Sequence, residues 1–347
     1  MKASILLKPG KISPYTDIPT PSPGPGELLI RVKAALTCGT DLKAFVRGHP
    51  MIPMPGPFGH EFSGVVEEVG KGVRKFKKGD PVMSVHSAPC LGCSYCAKGL
   101  HNLCENIMDT KVLGAFAEYV LIPSHVVRQN AFIKPRGVPF EEAALLEPLA
   151  CVVHSIYPLR VRKGEAALVV GAGPIGLLHL MVLKSLGARV GVADPHEGRL
   201  RQARALGADK CIRVTKDRRA DSGRINKACA PTTGHMGFDY VFECTGRPEA
   251  WESSVDHLRR GGTATLFGGC PSGTSACFDT HRLHYDELTL RGDFHFTPAD
   301  VRKAYGLLRD RKLDTEKLIS GSYLLKDMGK ALERLKKGQG IKYAIIP

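Results

Sequence analysis

The sequence predicts an α/β protein with two domains, the first rich in β-strands and the second built on a doubly wound parallel sheet. The first third of the chain contains short apolar runs interrupted by proline and glycine, whereas from about residue 164 apolar strands alternate with helical patterns. A length of 347 residues fits two domains. With 43% hydrophobic and 24% charged residues, the composition excludes a disordered or fibrous chain.

The β-rich part consists of strand patterns separated by turns. Residues 28–32 form an apolar strand pattern, and residues 64–70 and 80–85 are further strand candidates. Between residues 19 and 26, four prolines and two glycines predict an extended connector, because proline interrupts helical hydrogen bonding.

The later part alternates between strands and helices, which indicates βαβ units and a parallel sheet. A strand at residues 167–170 precedes a glycine-rich turn and a helix at 175–186, and the next strand covers 189–194. Two helices end in the same Leu-Gly-Ala sequence, at 186–188 and 206–208, where a left-handed glycine can turn the chain into the next strand. We expect further strands at 238–243 and 262–267, helices at 298–311 and 327–337, and a closing strand at 343–346.

Four cysteines in one short segment are the strongest local signal. The spacing Cys90-x2-Cys93-x2-Cys96-x7-Cys104 brings four thiolates into one loop, as in a structural zinc site, and an iron–sulfur cluster is the alternative. Residues 1–10 lack the apolar run of a signal peptide, and no segment is long enough to span a membrane. We therefore expect a cytoplasmic protein, in which clustered cysteines hold metal more often than they form disulfides.

A glycine-rich turn follows the strand at residues 167–170. Its sequence, Gly171-Ala172-Gly173-Pro174-Ile175-Gly176, opens a predicted helix, the context in which backbone N–H groups bind a dinucleotide pyrophosphate. Asp194 ends the next strand, where its carboxylate can accept hydrogen bonds from the adenosine ribose and repel a 2′-phosphate, which favours NAD over NADP. Asp194 could instead cap the following helix, and Arg199 could approach a phosphate.

A third set of residues is scattered along the chain. Cys38, the pair His60 and Glu61, and Glu147 are residue types that bind zinc, but their spacing alone does not assemble them into one site. Each of them taken singly is also compatible with an ordinary structural position.

The order of these motifs resembles that of the zinc-dependent medium-chain dehydrogenases over essentially the whole chain. The matching segments are Cys38-Gly39-Thr40-Asp41, Gly59-His60-Glu61 followed by Gly64, the four-cysteine lobe, Glu147-Pro148-Leu149, and the glycine-rich turn. Within that family the sequence is most similar to the branch that contains sorbitol (L-iditol) 2-dehydrogenases and L-threonine 3-dehydrogenases.

The resemblance implies a domain plan and two zinc ions per chain. Residues 1–152 would form a GroES-like zinc-binding catalytic domain with a structural zinc lobe at 89–105, residues 153–290 a Rossmann NAD-binding domain, and residues 291–347 a return to the catalytic domain. Homotetramers or homodimers are also implied.

The resemblance also assigns roles to the scattered residues. Cys38 and His60 would bind a catalytic zinc, with Glu61 and Glu147 as exchangeable ligands. The Thr40 hydroxyl would pass on the substrate proton, and the Asp41 carboxylate would orient a ligand histidine. The activity implied is the oxidation of a secondary alcohol of a polyol, sugar or cyclitol to a ketone, with NAD as the hydride acceptor.

L-Threonine 3-dehydrogenase is the alternative within the same class. Threonine dehydrogenases carry a substrate-side histidine three residues before the first cysteine of the lobe. His86 lies close to that position in this chain, but it precedes Cys90 by four residues. The segment between Cys104 and residue 114 is shorter than we expect for sorbitol dehydrogenases, so substrate identity does not follow from the resemblance.

The net charge of +15 suggests a second class of function as an alternative, namely a non-catalytic, zinc-containing protein that binds nucleic acid. Most of the excess lies in residues 196–227 and 300–347, on predicted helices and loops without a nucleic-acid reader module. Solvated helix faces, or attraction of an anionic small molecule, explain the charge without nucleic acid. The remaining cysteines are predicted to be buried or partly buried packing thiols: Cys151, Cys211, Cys229, Cys244, Cys270 and Cys277.

Overall fold

The chain forms two compact units in a computed structural model. The backbone is described for residues 1–215, 218–233 and 237–347, and the side chains for the same residues except 218–220 and 229–233. One unit contains Met1–Cys151 and His295–Pro347, and the other contains Val152–Phe294.

The helices and strands follow one another in three runs along the chain. The first run contains strands β1 (Lys2–Lys8), β2 (Lys11–Asp17), β3 (Leu28–Leu36), β4 (Gly56–Pro57), β5 (Glu61–Val69), β6 (Pro81–Ser84), β7 (Tyr119–Ile122) and β8 (Ala131–Ile133), and helices α1 (Gly39–Arg47), α2 (Ser94–Ala97), α3 (Ser124–Asn130), α4 (Phe140–Ala143) and α5 (Leu146–Ile156). The second run contains β9 (Ala166–Val170), α6 (Pro174–Ser185), β10 (Arg189–Asp194), α7 (Glu197–Ala205), β11 (Lys210–Arg213), α8 (Arg218–Thr233), β12 (Phe238–Glu243), α9 (Pro248–Ser254), β13 (Leu258–Leu266), α10 (Thr280–Tyr285) and β14 (Thr289–Gly292). The last run contains α11 (Pro298–Arg309), β15 (Ile319–Leu324), α12 (Met328–Lys336) and β16 (Lys342–Ile346).

The first unit is β-rich, as the sequence predicts. Its larger sheet has the order β15-β16-β3-β5-β6-β8, with β7 also paired to β3, and a smaller sheet has the order β2-β1-β4. Strand β3 is half-buried in the expected alternating way, because Arg31 and Lys33 are exposed between buried apolar neighbours. The C-terminal strand β16 pairs antiparallel with β3, so the end of the chain completes a sheet begun near its start.

The second unit is a parallel α/β sheet, which confirms the predicted fold class. Its strand order is β11-β10-β9-β12-β13-β14, and each of these neighbouring strands pairs in parallel with the next. Counted within the unit, this is the 3-2-1-4-5-6 order of a dinucleotide-binding sheet. The order reverses between β9 and β12, so the carboxyl ends of these strands are where such a sheet binds its ligand.

The described cysteines form no disulfide. Cys151, Cys211, Cys244 and Cys270 are half-buried, as predicted, whereas the side chain of Cys229 lies outside the described residues. The prediction for Cys277 was wrong, because this residue lies in the connection between β13 and α10 and is exposed. Among the described residues, no helix combines the length and the apolar character needed to cross a bilayer.

Candidate active site and cofactor loops

The four cysteines of the predicted lobe converge. Cys90, Cys93, Cys96 and Cys104 each offer a sulfur, and all four sulfurs lie within 4.8 Å of one another. Backbone N–H groups already point at two of them: Gly92 N lies 3.4 Å from Cys90 Sγ, and Cys90 N lies 3.3 Å from Cys104 Sγ. Four converging sulfurs fit a tetrahedral zinc site.

The local electrostatics of the lobe also favour a cation. The backbone N–H of Gly92 lowers the pKa of Cys90 to about 6, whereas burial raises the pKa of Cys96 to about 12. Thiols packed this closely ionise together only when a positive charge compensates them, and a bound metal ion supplies that charge.

A second group of possible ligands begins at helix α1. Cys38 is the N-cap residue of this helix: its sulfur accepts the backbone N–H of Thr40 at 3.4 Å, and the Asp41 carboxylate accepts the N–H of Cys38 at 3.1 Å. This reciprocal capping box explains why the helix starts here, and it fixes the cysteine at the helix terminus. Thr40 is half-buried beside it.

His60 and Glu61 approach Cys38 from the start of strand β5. One donor atom from each of these three residues lies within 4.8 Å of the others. Gly59, which precedes His60, has φ +87°, and a Cβ there would lie 2.6 Å from the ring of Phe116. Glycine is therefore required at this position for the chain to deliver His60 to the group.

Asp41 lies behind His60. Its Oδ1 atom is 3.6 Å from Nδ1 of His60, and this oxygen is buried without a hydrogen-bond partner in the described structure. Burial raises the pKa of Asp41, and the nearby His60 opposes that shift. A carboxylate facing one imidazole nitrogen orients the ring and leaves the other nitrogen for a metal ion.

Lys342 is a member of the site that the sequence motifs do not predict. Its Nζ atom lies 2.7 Å from Oε1 of Glu61 and donates to the backbone carbonyl of Thr37 at 3.0 Å. Burial would lower the pKa of Lys342, but Glu61 raises it above its ordinary value, so the lysine is charged. Burial raises the pKa of Glu61 to about 7, and the charge of Lys342 opposes that shift. The available signal was a single lysine beside the apolar closing strand at residues 343–346.

Glu147 lies outside the group formed by Cys38, His60 and Glu61. Its Oε1 atom is 3.3 Å from Nδ1 of His86, without the alignment of a hydrogen bond. The rings of His86 and His60 are 5.3 Å apart, so Glu147 and His86 border the three-residue group. The assignment of Glu147 as a zinc ligand stays a prediction.

His295 is a second residue that the sequence did not single out. Its ring centroid is 5.2 Å from that of His86, and its Nε2 atom is 2.7 Å from Oγ of Ser87. The backbone of His295 is left-handed, with φ 66°, a conformation that is uncommon for residues other than glycine. No local motif surrounds it, and it reaches the site only because residues from 295 onward return to the first unit.

The glycine-rich turn has the geometry of a phosphate-binding loop. Gly171 has φ +100°, and a Cβ on Gly176 would lie 1.8 Å from the carbonyl oxygen of Gly171, so both glycines are required by the backbone. A Cβ on Gly173 would meet no atom within 4 Å. The packing of the protein itself therefore does not require a glycine at this position, and the space in front of the helix start is open. Pro174 and Ile175 are the first residues of α6.

Asp194 ends β10 next to this turn and is 2% exposed. Its carboxylate accepts the backbone N–H groups of Ala172 at 2.9 Å and His196 at 2.8 Å, and Arg199 Nη1 lies 3.7 Å away. Asp194 therefore connects the glycine-rich turn to the residue that precedes α7. It is not the cap of this helix, because His196 is the N-cap residue and no side chain caps the first turn.

A cavity of about 830 Å³ in the second unit extends from the glycine-rich turn. Its lining includes Gly171, Pro195, Arg213, Thr245 and Arg247. The cavity volume falls in the range of small-molecule sites, and its position at the carboxyl ends of β9, β10 and β12 is that of a nucleotide site.

Comparisons with known proteins match both units. Residues 24–131 match the alcohol dehydrogenase GroES-like domain, and residues 174–310 match the zinc-binding dehydrogenase domain. A sorbitol dehydrogenase of Halalkalibacterium halodurans is 33% identical over 95% of this chain and 94% of its own length. An L-threonine 3-dehydrogenase of Aeromonas salmonicida is 32% identical over 99% of this chain and 98% of its own.

One solved structure is similar to this chain over its whole length. A zinc-binding dehydrogenase from Sinorhizobium meliloti, bound to NADP, superposes with a TM-score of 0.88 and 29% sequence identity, over 100% of this chain and 99% of that one. The chain belongs to the zinc-dependent medium-chain dehydrogenase family of oxidoreductases.

Proposed function

We propose that this protein oxidises a secondary alcohol to a ketone, with a catalytic zinc and NAD as the hydride acceptor. The observation that carries the proposal is the convergence of Cys38, His60 and Glu61, bordered by His86 and Glu147, in a chain that also has a dinucleotide-type loop. Three protein ligands that leave a position open are the pattern of a catalytic rather than a structural zinc site.

Two zinc ions would be held by different residues. Cys38 and His60 would bind the catalytic ion, with Glu61 and Glu147 as ligands that exchange with solvent or substrate, and the four lobe cysteines would bind the structural ion. A catalytic zinc polarises an alcohol oxygen and lowers the pKa of its hydroxyl.

Other residues of the site would orient the zinc ligands and accept the proton of the substrate alcohol. Asp41 holds the ring of His60 from behind, and Lys342 balances the charge of Glu61. The hydroxyl of Thr40, next to Cys38 on the first turn of α1, would accept the proton of the substrate alcohol and pass it toward solvent.

The glycine-rich turn would hold the cofactor. Backbone N–H groups at Gly173, Ile175 and Gly176, around the start of α6, would face the pyrophosphate. The N–H of Gly171 donates to the carbonyl of Ala193 at 2.8 Å, so Gly171 would serve the turn itself. Proline itself has no N–H and serves to start the helix. The nicotinamide ring supplies the hydride acceptor.

We infer a preference for NAD over NADP. Asp194 carries a buried negative charge beside the turn, and such a carboxylate disfavours a 2′-phosphate. Arg199 lies 3.7 Å from this carboxylate and offsets part of its charge. Because the structural neighbour from Sinorhizobium meliloti is bound to NADP, both cofactors belong in the test.

We propose a polyol, sugar or cyclitol as the substrate class, supported by the similarity to a sorbitol dehydrogenase. L-Threonine is a second candidate, because His86 lies against Glu147 and near His60 although it is displaced by one residue from the threonine dehydrogenase pattern. A homotetramer or homodimer is proposed on the family resemblance, and sedimentation of the purified protein tests it.

One assay separates these substrates. The zinc-loaded protein is incubated with sorbitol, xylitol, inositols or L-threonine, with NAD or NADP, and the reduced cofactor is followed by absorbance. Turnover of a polyol or cyclitol supports the main proposal, turnover of L-threonine alone supports the second candidate, and turnover of none contradicts both.

A further inference from the structure

Glu243 is a buried carboxylate at the carboxyl edge of the parallel sheet, outside all of the motifs considered so far. It is the last residue of β12 and is 0% exposed. Its neighbours across the sheet are Val170 of β9 and Leu266 of β13, so it sits between the strand that carries the glycine-rich turn and the next strand outward.

The side chain of Glu243 receives hydrogen bonds from the loop that follows its own strand. Oε1 accepts the backbone N–H of Thr245 at 2.7 Å and also the Thr245 hydroxyl, and the N–H of Gly246 lies 3.2 Å from both carboxylate oxygens. These partners are donors, which suits an ionised carboxylate and not an amide.

The same side chain adjoins the loop that follows β13. A Cβ on Gly268 would lie 2.8 Å from Oε2 of Glu243 and 2.2 Å from the backbone nitrogen of Gly246, so the two loops are in close backbone contact. The indole of Trp251 donates to the carbonyl of Gly268 at 2.9 Å and closes the arrangement from the side of α9.

The loop held by Glu243 also touches the glycine-rich turn. A Cβ on Gly171 would lie 2.7 Å from Cγ2 of Thr245, and the N–H of Cys244 donates to the carbonyl of Val170 at 2.9 Å. The carboxylate thus fixes the loops after β12 and β13 against the start of the phosphate-binding loop.

The topology assigns these loops to one half of a dinucleotide. A dinucleotide crosses a sheet of this order at the point where the strand order reverses, with its pyrophosphate at the first βα turn. Asp194 ends β10, on one side of β9, which is the adenosine side. Strands β12 and β13 lie on the other side of β9, so their loops face the nicotinamide half.

We propose that Glu243 is a positioning residue for the nicotinamide half of the cofactor, acting through the backbone of residues 244–246 and 268–269. The inference rests on the proposed function, because it presupposes that a nicotinamide dinucleotide binds. Loss of the carboxylate would free two loops on the nicotinamide side and leave the adenosine side, organised by Asp194, unchanged.

The test compares a whole cofactor with its adenosine part. The zinc-loaded full chain is titrated with NADH, followed by fluorescence, and with AMP, followed by calorimetry. The Glu243→Gln variant places an amide group against the Thr245 and Gly246 donors and should weaken NADH binding by about tenfold or more while changing AMP binding by less than about twofold.

A matched control lies on the same strand. Asp239, near the amino end of β12, also bonds a neighbouring strand, because its carboxylate accepts the N–H of Ala166 at 2.7 Å and the side chain of Arg259 at 2.6 Å. The Asp239→Asn variant loses comparable structural contacts but lies at the opposite edge of the sheet, and it should leave both dissociation constants within about twofold.

The outcomes are distinguishable. Equal weakening of NADH and AMP by Glu243→Gln, or no weakening of NADH, overturns the inference. If Glu243→Gln does not fold, Gly268→Ala is used in its place, because the added Cβ would push the same two loops apart. The NADH and AMP dissociation constants of Gly268→Ala are then interpreted in the same way. If the unmodified protein binds neither NADH nor NADPH, the proposed function itself fails and this inference fails with it.

Discussion

Lys342 Nζ lies 2.7 Å from Oε1 of Glu61, although the two residues are 281 positions apart in the chain. Both side chains are at most 1% exposed, so this ion pair is removed from solvent. In a buried ion pair, the attraction between the two charges offsets the free-energy cost of removing each of them from water. Removal of one partner leaves the other buried without that compensation. The pair joins β16 to the start of β5, next to the proposed catalytic ligands.

We predict that Lys342→Met destabilises the protein strongly. In the zinc-free protein, removal of the lysine leaves Glu61 without its cationic partner, and breaking a buried pair in this way costs about 3–5 kcal/mol. The double variant Lys342→Met with Glu61→Gln should recover a large part of this loss, because neither member of the pair then leaves an unpaired charge. Denaturant unfolding of each variant measures the free energies.

An exposed lysine provides the control for that experiment. Lys330 pairs with Asp327 at 2.7 Å but its side chain is 72% exposed, so Lys330→Met should destabilise the protein far less than Lys342→Met. A Lys342→Met variant as stable as Lys330→Met would show that the buried pair contributes little.

We predict two separable zinc sites. The purified protein should contain about two zinc ions per chain. Cys38→Ala should lower the zinc content to about one, abolish alcohol oxidation and leave the lobe intact, because only the group with His60 and Glu61 loses a ligand. Elemental analysis combined with the activity assay measures both effects.

The complementary variant concerns the lobe. Cys96→Ala removes a buried member of the four-cysteine group and should also lose about one zinc ion, with a decrease in thermal stability. Retention of two zinc ions in either variant contradicts the ligand assignment for that site.

We predict that Asp194→Ala reduces the discrimination against NADP. The substitution removes a buried negative charge beside the glycine-rich turn and leaves Arg199 uncompensated, which favours a phosphate. It also removes the hydrogen bond to Ala172 N, so NADH binding should weaken. The ratio of the NADPH and NADH dissociation constants should fall by about tenfold.

A carboxylate at the opposite end of β10 provides the control, because its loss would loosen the sheet without changing the surroundings of Asp194. Asp209 accepts the N–H of Val190 at 2.6 Å and pairs with Lys184, at the other end of β10. Asp209→Asn should leave the NADPH to NADH ratio unchanged. An unchanged ratio in Asp194→Ala as well would remove the specificity role of Asp194.

Local motifs could be predicted from the sequence, and long-range contacts could not. The four cysteines lie within 15 residues, and the glycine-rich turn is fixed by the strand and helix on either side of it, so spacing alone constrains their geometry. Cys38 could be placed at a helix terminus only with the structure, because a cysteine N-cap is not a usual helix signal.

The residues that the sequence missed come from distant parts of the chain. Lys342 meets Glu61 because β16 lies beside β3, and β3 beside β5. His295 reaches His86 only through the return of the chain to the first unit. Strand order and domain return are tertiary features, which neither the alternation of apolar residues nor motif spacing encodes.

A buried histidine in the second unit predicts a pH dependence of stability. His179 lies on α6, with Nδ1 2.9 Å from the carbonyl of Ile175 and Nε2 3.0 Å from Oγ of Ser155, and it packs against the rings of Phe242 and Phe267. Burial lowers the pKa of His179 to about 4, below the ordinary value of 6.5. The folded protein therefore binds fewer protons at this site than the unfolded chain between these two values.

It follows that the contribution of His179 to stability is constant above about pH 6.5 and declines as the pH falls toward 4, by about 3 kcal/mol in total. His179→Gln removes this titration, so the stability difference between wild type and variant should narrow as the pH is lowered from 7 to 4.5. Denaturant unfolding at both pH values measures it, with His281→Gln, an exposed histidine of the same unit, as the control. A difference between wild type and His179→Gln that stays constant over this range would show that His179 titrates normally in the fold.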